Sequence, residues 1–236
     1  MSEGIKKLGI LIGLAVALEA LGCLGNPFPA RAQVGDRDAE CSRNPNNPRL
    51  VRCSYDNGDN YVGESFGNVA FGEGTYIFAN DDTYVGEFRN GLPNGQGKLR
   101  LGDNLYEGEF VDSNIVEGRA LFANGDEYKG KFLLNQPNDT QGEFIYANGD
   151  RFKGEFLSGR PFGQGELIRS DGTRCRGDFF GSNLNANSAN CSFSNGARYQ
   201  GELRGGLPHG TGSLVEGNGR RYQGQFRNGQ PFIPKN

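Results

Sequence analysis

Acidic side chains recur at one step of this sequence. Glu64, Glu87, Glu109, Glu155, Asp178 and Glu202 each stand three residues after Tyr61, Tyr84, Tyr106, Phe152, Cys175 and Tyr199. Carboxylates brought close together could hold calcium or divide acid and base roles in a hydrolase. Cysteines form a second set: Cys41, Cys53, Cys175 and Cys191, with Cys23 upstream. There is no Cys-x-x-Cys, and the single histidine, His209, is far from any cysteine-ligand spacing, so zinc is not expected. No nucleophile–base pair accompanies His209, and no P-loop is present. Gly72-Glu73-Gly74, Gly95-Gln96-Gly97, Gly163-Gln164-Gly165 and Gly210-Thr211-Gly212 are not nucleotide loops, because no helical pattern follows them.

The elements that carry these residues repeat. Tyr84-Val85-Gly86-Glu87-Phe88 returns as Tyr106-Glu107-Gly108-Glu109-Phe110, Tyr128-Lys129-Gly130-Lys131-Phe132 and Phe152-Lys153-Gly154-Glu155-Phe156. Units start at 61, 84, 106, 128, 152, 175, 199 and 222, a period of 22 to 24 residues. A fixed period in this range indicates a repeat array. In each unit, rings and glycines alternate with polar residues at period two, which is a strand. A turn-rich stretch such as Arg89–Gly95 follows, then a second strand opening on the spaced glycines. Units close on Asn124-Gly125-Asp126, Asn148-Gly149-Asp150 or similar, which favours tight primed turns.

This arrangement decides the chemistry. The carboxylates lie on the sheet face opposite the rings. A second strand separates successive ones, so they stand about 9–10 Å apart, too far to share a metal. They are expected to pair with Lys129, Lys153 and Arg176. No catalytic residue, metal or cofactor is expected. The glycines leave room for the rings to lie against adjacent backbone. With 39 glycines, no tryptophan and 35% hydrophobic residues, the chain suits an array that buries each unit against its neighbours.

The pattern resembles the MORN repeat family, with a motif of Tyr-x-Gly-x-aromatic, Asn-Gly, Gly-x-Gly and Asp-Gly. The resemblance covers residues 61–236. It is weakest in the third unit, where Val116-Glu117-Gly118 keeps one glycine, and in the sixth, which has Cys175 for the ring. Because family members often carry His before the first glycine of the pair, His209 reads as a turn residue at a hairpin tip. Family arrays have been linked to phospholipid, and some accompany a kinase domain. Here the array fills nearly all of the chain after the leader, so no kinase activity is carried over.

Residues 1–32 read as an export signal: basic Lys6 and Lys7, an apolar run from Leu8 to Leu18 too short to span a bilayer, and Ala30-Arg31-Ala32 for cleavage. Lipidation at Cys23 or an uncleaved anchor are the alternatives. Export allows disulfides. The repeat register sets Cys175 opposite Cys191 in one hairpin, and Cys53 aligns with Cys191 one hairpin before the first full unit. The expected bridges are therefore Cys41–Cys53 and Cys175–Cys191. Residues 33–60 form an N-terminal segment whose part from 41 onward is a disulfide-closed cap. Past residue 32 the chain carries 22 basic and 26 acidic side chains. Without a basic cluster, that argues against nucleic acid and against strong binding to anionic lipid.

The expected fold is all-β: an elongated antiparallel meander of hairpin repeats in a single twisted sheet. The expected role is a non-catalytic structural or protein-interaction module of the bacterial cell envelope, periplasmic or extracellular, with no membrane span in the mature chain. The alternative is a lipid- or carbohydrate-binding protein. The candidate binding and packing face is Tyr61, Tyr84, Phe88, Tyr106, Phe110, Tyr128, Phe132, Phe152, Phe156, Tyr199, Tyr222 and Phe226; its first duty is packing within the array, and rings left exposed could hold an extended peptide, a glycan or an acyl chain. Rings exposed along a groove would favour binding, and buried rings would favour structure.

Overall fold

The computed structural model describes residues 39–67 and 69–233. The signal, lipidation and anchor readings of residues 1–32 lie outside the described residues. Every regular element described is a β-strand, and the chain divides into two compact units between Pro137 and Asn138. The first holds β1 (Ala39–Asn44), β2 (Asn47–Tyr55), β3 (Asn60–Phe66), β4 (Val69–Ile77), β5 (Thr83–Arg89), β6 (Leu92–Leu101), β7 (Asn104–Val111), β8 (Asn114–Leu121), β9 (Glu127–Leu133) and β10 (Gln136–Pro137). The second holds β11 (Asp139–Ile145), β12 (Arg151–Leu157), β13 (Arg160–Ile168), β14 (Arg174–Phe180), β15 (Asn185–Ser192), β16 (Arg198–Arg204), β17 (Leu207–Val215), β18 (Arg221–Arg227) and β19 (Gln230–Pro231).

Within each unit every strand pairs antiparallel with the next, so each is an open meander of hairpins. The boundary between the two units falls inside the repeat that starts at 128. The local sequence gives a reason. Thr140-Gln141-Gly142 keeps one glycine of the pair, β10 is two residues long, and the register slips between Asp139 and Gly142.

Turn chemistry differs from expectation. The expected turn Arg89–Gly95 shrinks to Asn90-Gly91, since Arg89 already pairs with Leu92. Asn90 (φ 54°) and Gly91 (φ 81°) both lie in the left-handed region, as a primed two-residue turn requires. The Asn-Gly-Asp closures are not primed. In Asn124-Gly125-Asp126 only the glycine has positive φ, and Gly125 N–H donates to Phe122 C=O. The flanking polar side chains lock the loop: Asn124 Nδ2 donates to Asp126 Oδ2, and Asp126 N–H donates to Asn124 Oδ1. The same carboxylates reach the next repeat. Asp59 Oδ1 accepts from Ala79 N–H, Asp82 Oδ1 from Gly102 N–H and Asp150 Oδ1 from Ser170 N–H.

Both expected disulfides are present, each between residues directly opposite in a hairpin: Cys41 and Cys53 across β1 and β2, Cys175 and Cys191 across β14 and β15. At the other end β19 is only two residues long, and Pro231 sits opposite Phe226. Among the described residues no helix is long and apolar enough to cross a membrane.

Candidate functional site

The repeated motif builds a bulge, and each of its residues has a part in it. In β5 and β6, Gly86 pairs with Gly97 and Phe88 with Pro93. One residue of β5, Glu87, therefore faces three of β6: Asn94, Gly95 and Gln96. A bulge frees backbone groups from the ladder, and they need new partners. The Tyr84 hydroxyl donates to Glu87 C=O (3.1 Å), and Glu87 Oε1 accepts from Gln96 N–H (2.9 Å). Gly95 (φ 104°) makes the bend, with a Cβ there falling 2.7 Å from the Glu87 carboxylate. A Cβ on Gly97 would fall 2.6 Å from Tyr84 ring atoms, so the ring lies on bare backbone as the sequence implied.

The same one-against-three bulge recurs at Glu64, Glu155 and Glu202. Tyr61 donates to Glu64 C=O and Tyr199 to Glu202 C=O. Glu155 accepts from Gln164 N–H and Glu202 from Thr211 N–H. The repeat at 106 lacks it, because Phe110 pairs with Ile115 and only Val116 is extra.

Eleven of the twelve rings named as the packing and candidate binding face are buried: Tyr61, Tyr84, Phe88, Tyr106, Phe110, Tyr128, Phe132, Phe152, Phe156, Tyr199 and Phe226. Only Tyr222 is half-exposed. The rings interlock edge to face between repeats. Tyr61 meets Phe88, Tyr84 meets Phe110, Phe152 meets Phe179 and Tyr199 meets Phe226, at 4.9 to 5.1 Å between centroids. Such pairs contribute about 0.5–1.5 kcal/mol each beyond area burial. This face is a core, and no aromatic groove is left open along it. Burial pushes the Tyr106 and Tyr199 hydroxyls up to about 12, and those of Tyr61, Tyr76 and Tyr84 higher still. Neighbouring carboxylates add to the effect at Tyr61 and Tyr84, as does the Tyr76 hydrogen bond to Asp59 Oδ2 (2.6 Å).

The recurring acids do not form the expected ion pairs. Lys129 pairs with Glu127 (3.2 Å) and Arg176 with Glu166 (3.1 Å). Lys153 makes no ion pair among the described residues. Instead the bulge amides hold Glu87, Glu155 and Glu202, while Gln96 and Gln164 side chains donate to Glu109 and Asp178. Backbone N–H groups released by the bulge lie closer to these carboxylates than any lysine. Among the described residues no three His, Cys, Asp or Glu side chains converge as a metal site. His209 also departs from expectation. It lies in strand β17, half-buried, and its carbonyl accepts from the Tyr199 hydroxyl.

The outward face is where the two units differ. In the first, Phe66 and Phe71 are 81% and 51% exposed with ring centroids 6.5 Å apart, beside Glu64 and Glu73. In the second, an open depression of about 370 Å³ is lined by Thr140, Gln141, Lys153, Gln164, Glu166 and Arg176. Beside it runs a line of exposed arginines, Arg151, Arg174, Arg198 and Arg221. Sequence reasoning passed over that line. Its signal was present, since each arginine directly precedes the ring position of its repeat.

A family model for the MORN repeat matches residues 61–83, 84–105, 152–174, 199–219 and 222–231. Its four longer matches are the four repeats that carry the one-against-three bulge. No curated protein matches the chain in sequence. Among solved structures, it is similar to the SAS-4 (dCPAP) TCP domain of Drosophila melanogaster, in complex with a proline rich motif of Ana2 (dSTIL). Identity is 12%, coverage is 84% of this chain and 97% of that one, and the TM-score is 0.34. Virginiamycin B lyase from Staphylococcus aureus is similar at 8% identity, 80% and 88% coverage and a TM-score of 0.18.

Proposed function

Because this chain belongs to the MORN repeat family, we propose that it is a non-catalytic scaffold of the bacterial cell envelope that engages protein partners through its outward sheet face. The observation that carries this reading is the fate of the motif. Its tyrosines, glycines and glutamates are consumed in bulges and ring packing, so they supply rigidity and leave contact to the variable outward residues. Two disulfides agree with an oxidising compartment.

The test uses the full chain expressed in a bacterial host. Fractionation should place it in the envelope, with Cys41–Cys53 and Cys175–Cys191 linked in peptide maps. A photo-crosslinker at outward Phe71 should capture a discrete protein, and one at outward Glu40 near the first edge should not. Cytosolic recovery with four alkylatable thiols would overturn the envelope assignment. Absence of any adduct from Phe71 would overturn the scaffold reading.

A further inference from the structure

The second unit carries a charged line that its packing does not use. Register places Arg151 opposite Ile168, Ile168 opposite Arg174, Arg174 opposite Ser192, Ser192 opposite Arg198, Arg198 opposite Val215 and Val215 opposite Arg221. All four arginines are exposed on the face away from the rings. Uncharged residues alternate with them, so neighbouring arginines stand two strands apart, about 9–10 Å. The equivalent positions in the first unit are Asn60, Thr83, Leu105 and Glu127.

Charge is divided in the same sense. Residues 39–137 hold fifteen acidic and nine basic side chains, and residues 138–236 hold nine and twelve. Arg151 and Arg174 approach Glu143 and Glu166 only loosely, at 3.9 and 3.6 Å, and each side chain is 55% exposed. Such contacts contribute little and leave the guanidinium available. Arg198 and Arg221 make no ion pair among the described residues. The next line of the sheet runs through Lys153, Glu166, Arg176, Asn190, Gln200, Ser213 and Gln223. It adds cations beside the depression and amide donors at the far end.

We infer that this arginine line binds an acidic polysaccharide bearing one carboxylate on every second sugar. A guanidinium fork matches a carboxylate bidentately, so each arginine can take one acidic residue of the polymer. The two-strand step is comparable to the length of a disaccharide in an extended chain. An extended acidic peptide fits less well. At about 3.3 Å per residue its acids would have to recur every third position, whereas its side chains alternate faces every second. The amides of Gln200, Gln223 and Asn190 offer partners for sugar hydroxyls, and the depression at Lys153, Thr140 and Gln141 gives one ring a seat. The surface is open, which suits a polymer more than an enclosed small molecule. No ring stands on the arginine line, as single-stranded nucleic acid would need for base stacking. This inference goes beyond the scaffold reading and does not depend on it.

The test measures binding of the full, disulfide-intact chain to hyaluronan, which has one carboxylate per disaccharide. Neutral dextran and phosphatidylglycerol vesicles serve as comparators. The parent protein should bind hyaluronan and not dextran. The double variant Arg198→Gln/Arg221→Gln should bind at least about tenfold more weakly, while Arg100→Gln in the first unit binds as the parent does. Circular dichroism and an intact Cys175–Cys191 bridge establish that the double variant is folded. If that variant misfolds, Arg198→Lys/Arg221→Lys replaces it and should still lose affinity, because the fork is gone. No hyaluronan binding at low salt, equal binding of dextran, parent-like affinity in the folded variants, or binding to the vesicles alone would each overturn the inference.

Discussion

The fifth repeat offers a natural control for the role of the tyrosyl hydroxyl. Phe152 stands where Tyr84 and Tyr199 stand, over the same kind of bulge. Gly154 pairs with Gly165 and Phe156 with Pro161, matching the pairings of Gly86 and Phe88 position for position. Glu155 accepts the Gln164 amide as Glu87 accepts that of Gln96. What is missing is a hydroxyl to donate to Glu155 C=O. Phe152→Tyr should therefore supply a bond of the Tyr199 to Glu202 kind, 2.8 Å long. A neutral hydrogen bond of this kind contributes about 0.5–1.5 kcal/mol net. Because stability in a repeat array is largely local, the gain should appear as about two- to twelvefold slower hydrogen exchange in β12 and β13. Tyr84→Phe should do the reverse in β5 and β6, by a similar factor. Native-state exchange on both variants reads both effects. If Phe152→Tyr leaves exchange unchanged or speeds it, and Tyr84→Phe is neutral, the hydroxyl does not support the bulge and the motif needs another explanation.

Two more outcomes follow from the core and the cap. Tyr106 and Tyr199 titrate near 12 in the folded chain against about 10 unfolded, so their contribution is complete below pH 10 and is lost as pH rises toward 12. Stability should fall by about 1.4 kcal/mol per pH unit for each such tyrosine across that window, and ionisation of all nine tyrosines near pH 10 with the fold intact, read from tyrosinate absorbance, would contradict it. Cys41→Ser should remove about 2–3 kcal/mol of loop-closure stabilisation from the first hairpin, and faster exchange should stay within about residues 41–83, so uniform acceleration through β18 would refute local unfolding.

Several features were legible in the sequence because they are local. The period of the Tyr-x-Gly-Glu blocks fixes where each first strand begins, and period-two alternation fixes which side chains share a face. That is enough to make Tyr84 and Gly97 partners and to set Cys175 opposite Cys191. Other features depend on which backbone groups a given register leaves without partners. Glu87 and Glu155 look like solvent-facing acids awaiting lysines until the bulge sets a free amide beside each of them. Asn-Gly reads as the same turn signal in two places. Yet Asn90-Gly91 joins directly paired strands and adopts the primed turn, while Asn124-Gly125 sits in a loop whose geometry Asp126 completes. The arginine line is the clearest case. Arg151, Arg174, Arg198 and Arg221 lie more than twenty residues apart and raise no cluster in a linear reading. Only the pairing of β12 to β18 puts them on one edge-to-edge line, because a meander turns a sequence period into a spatial one.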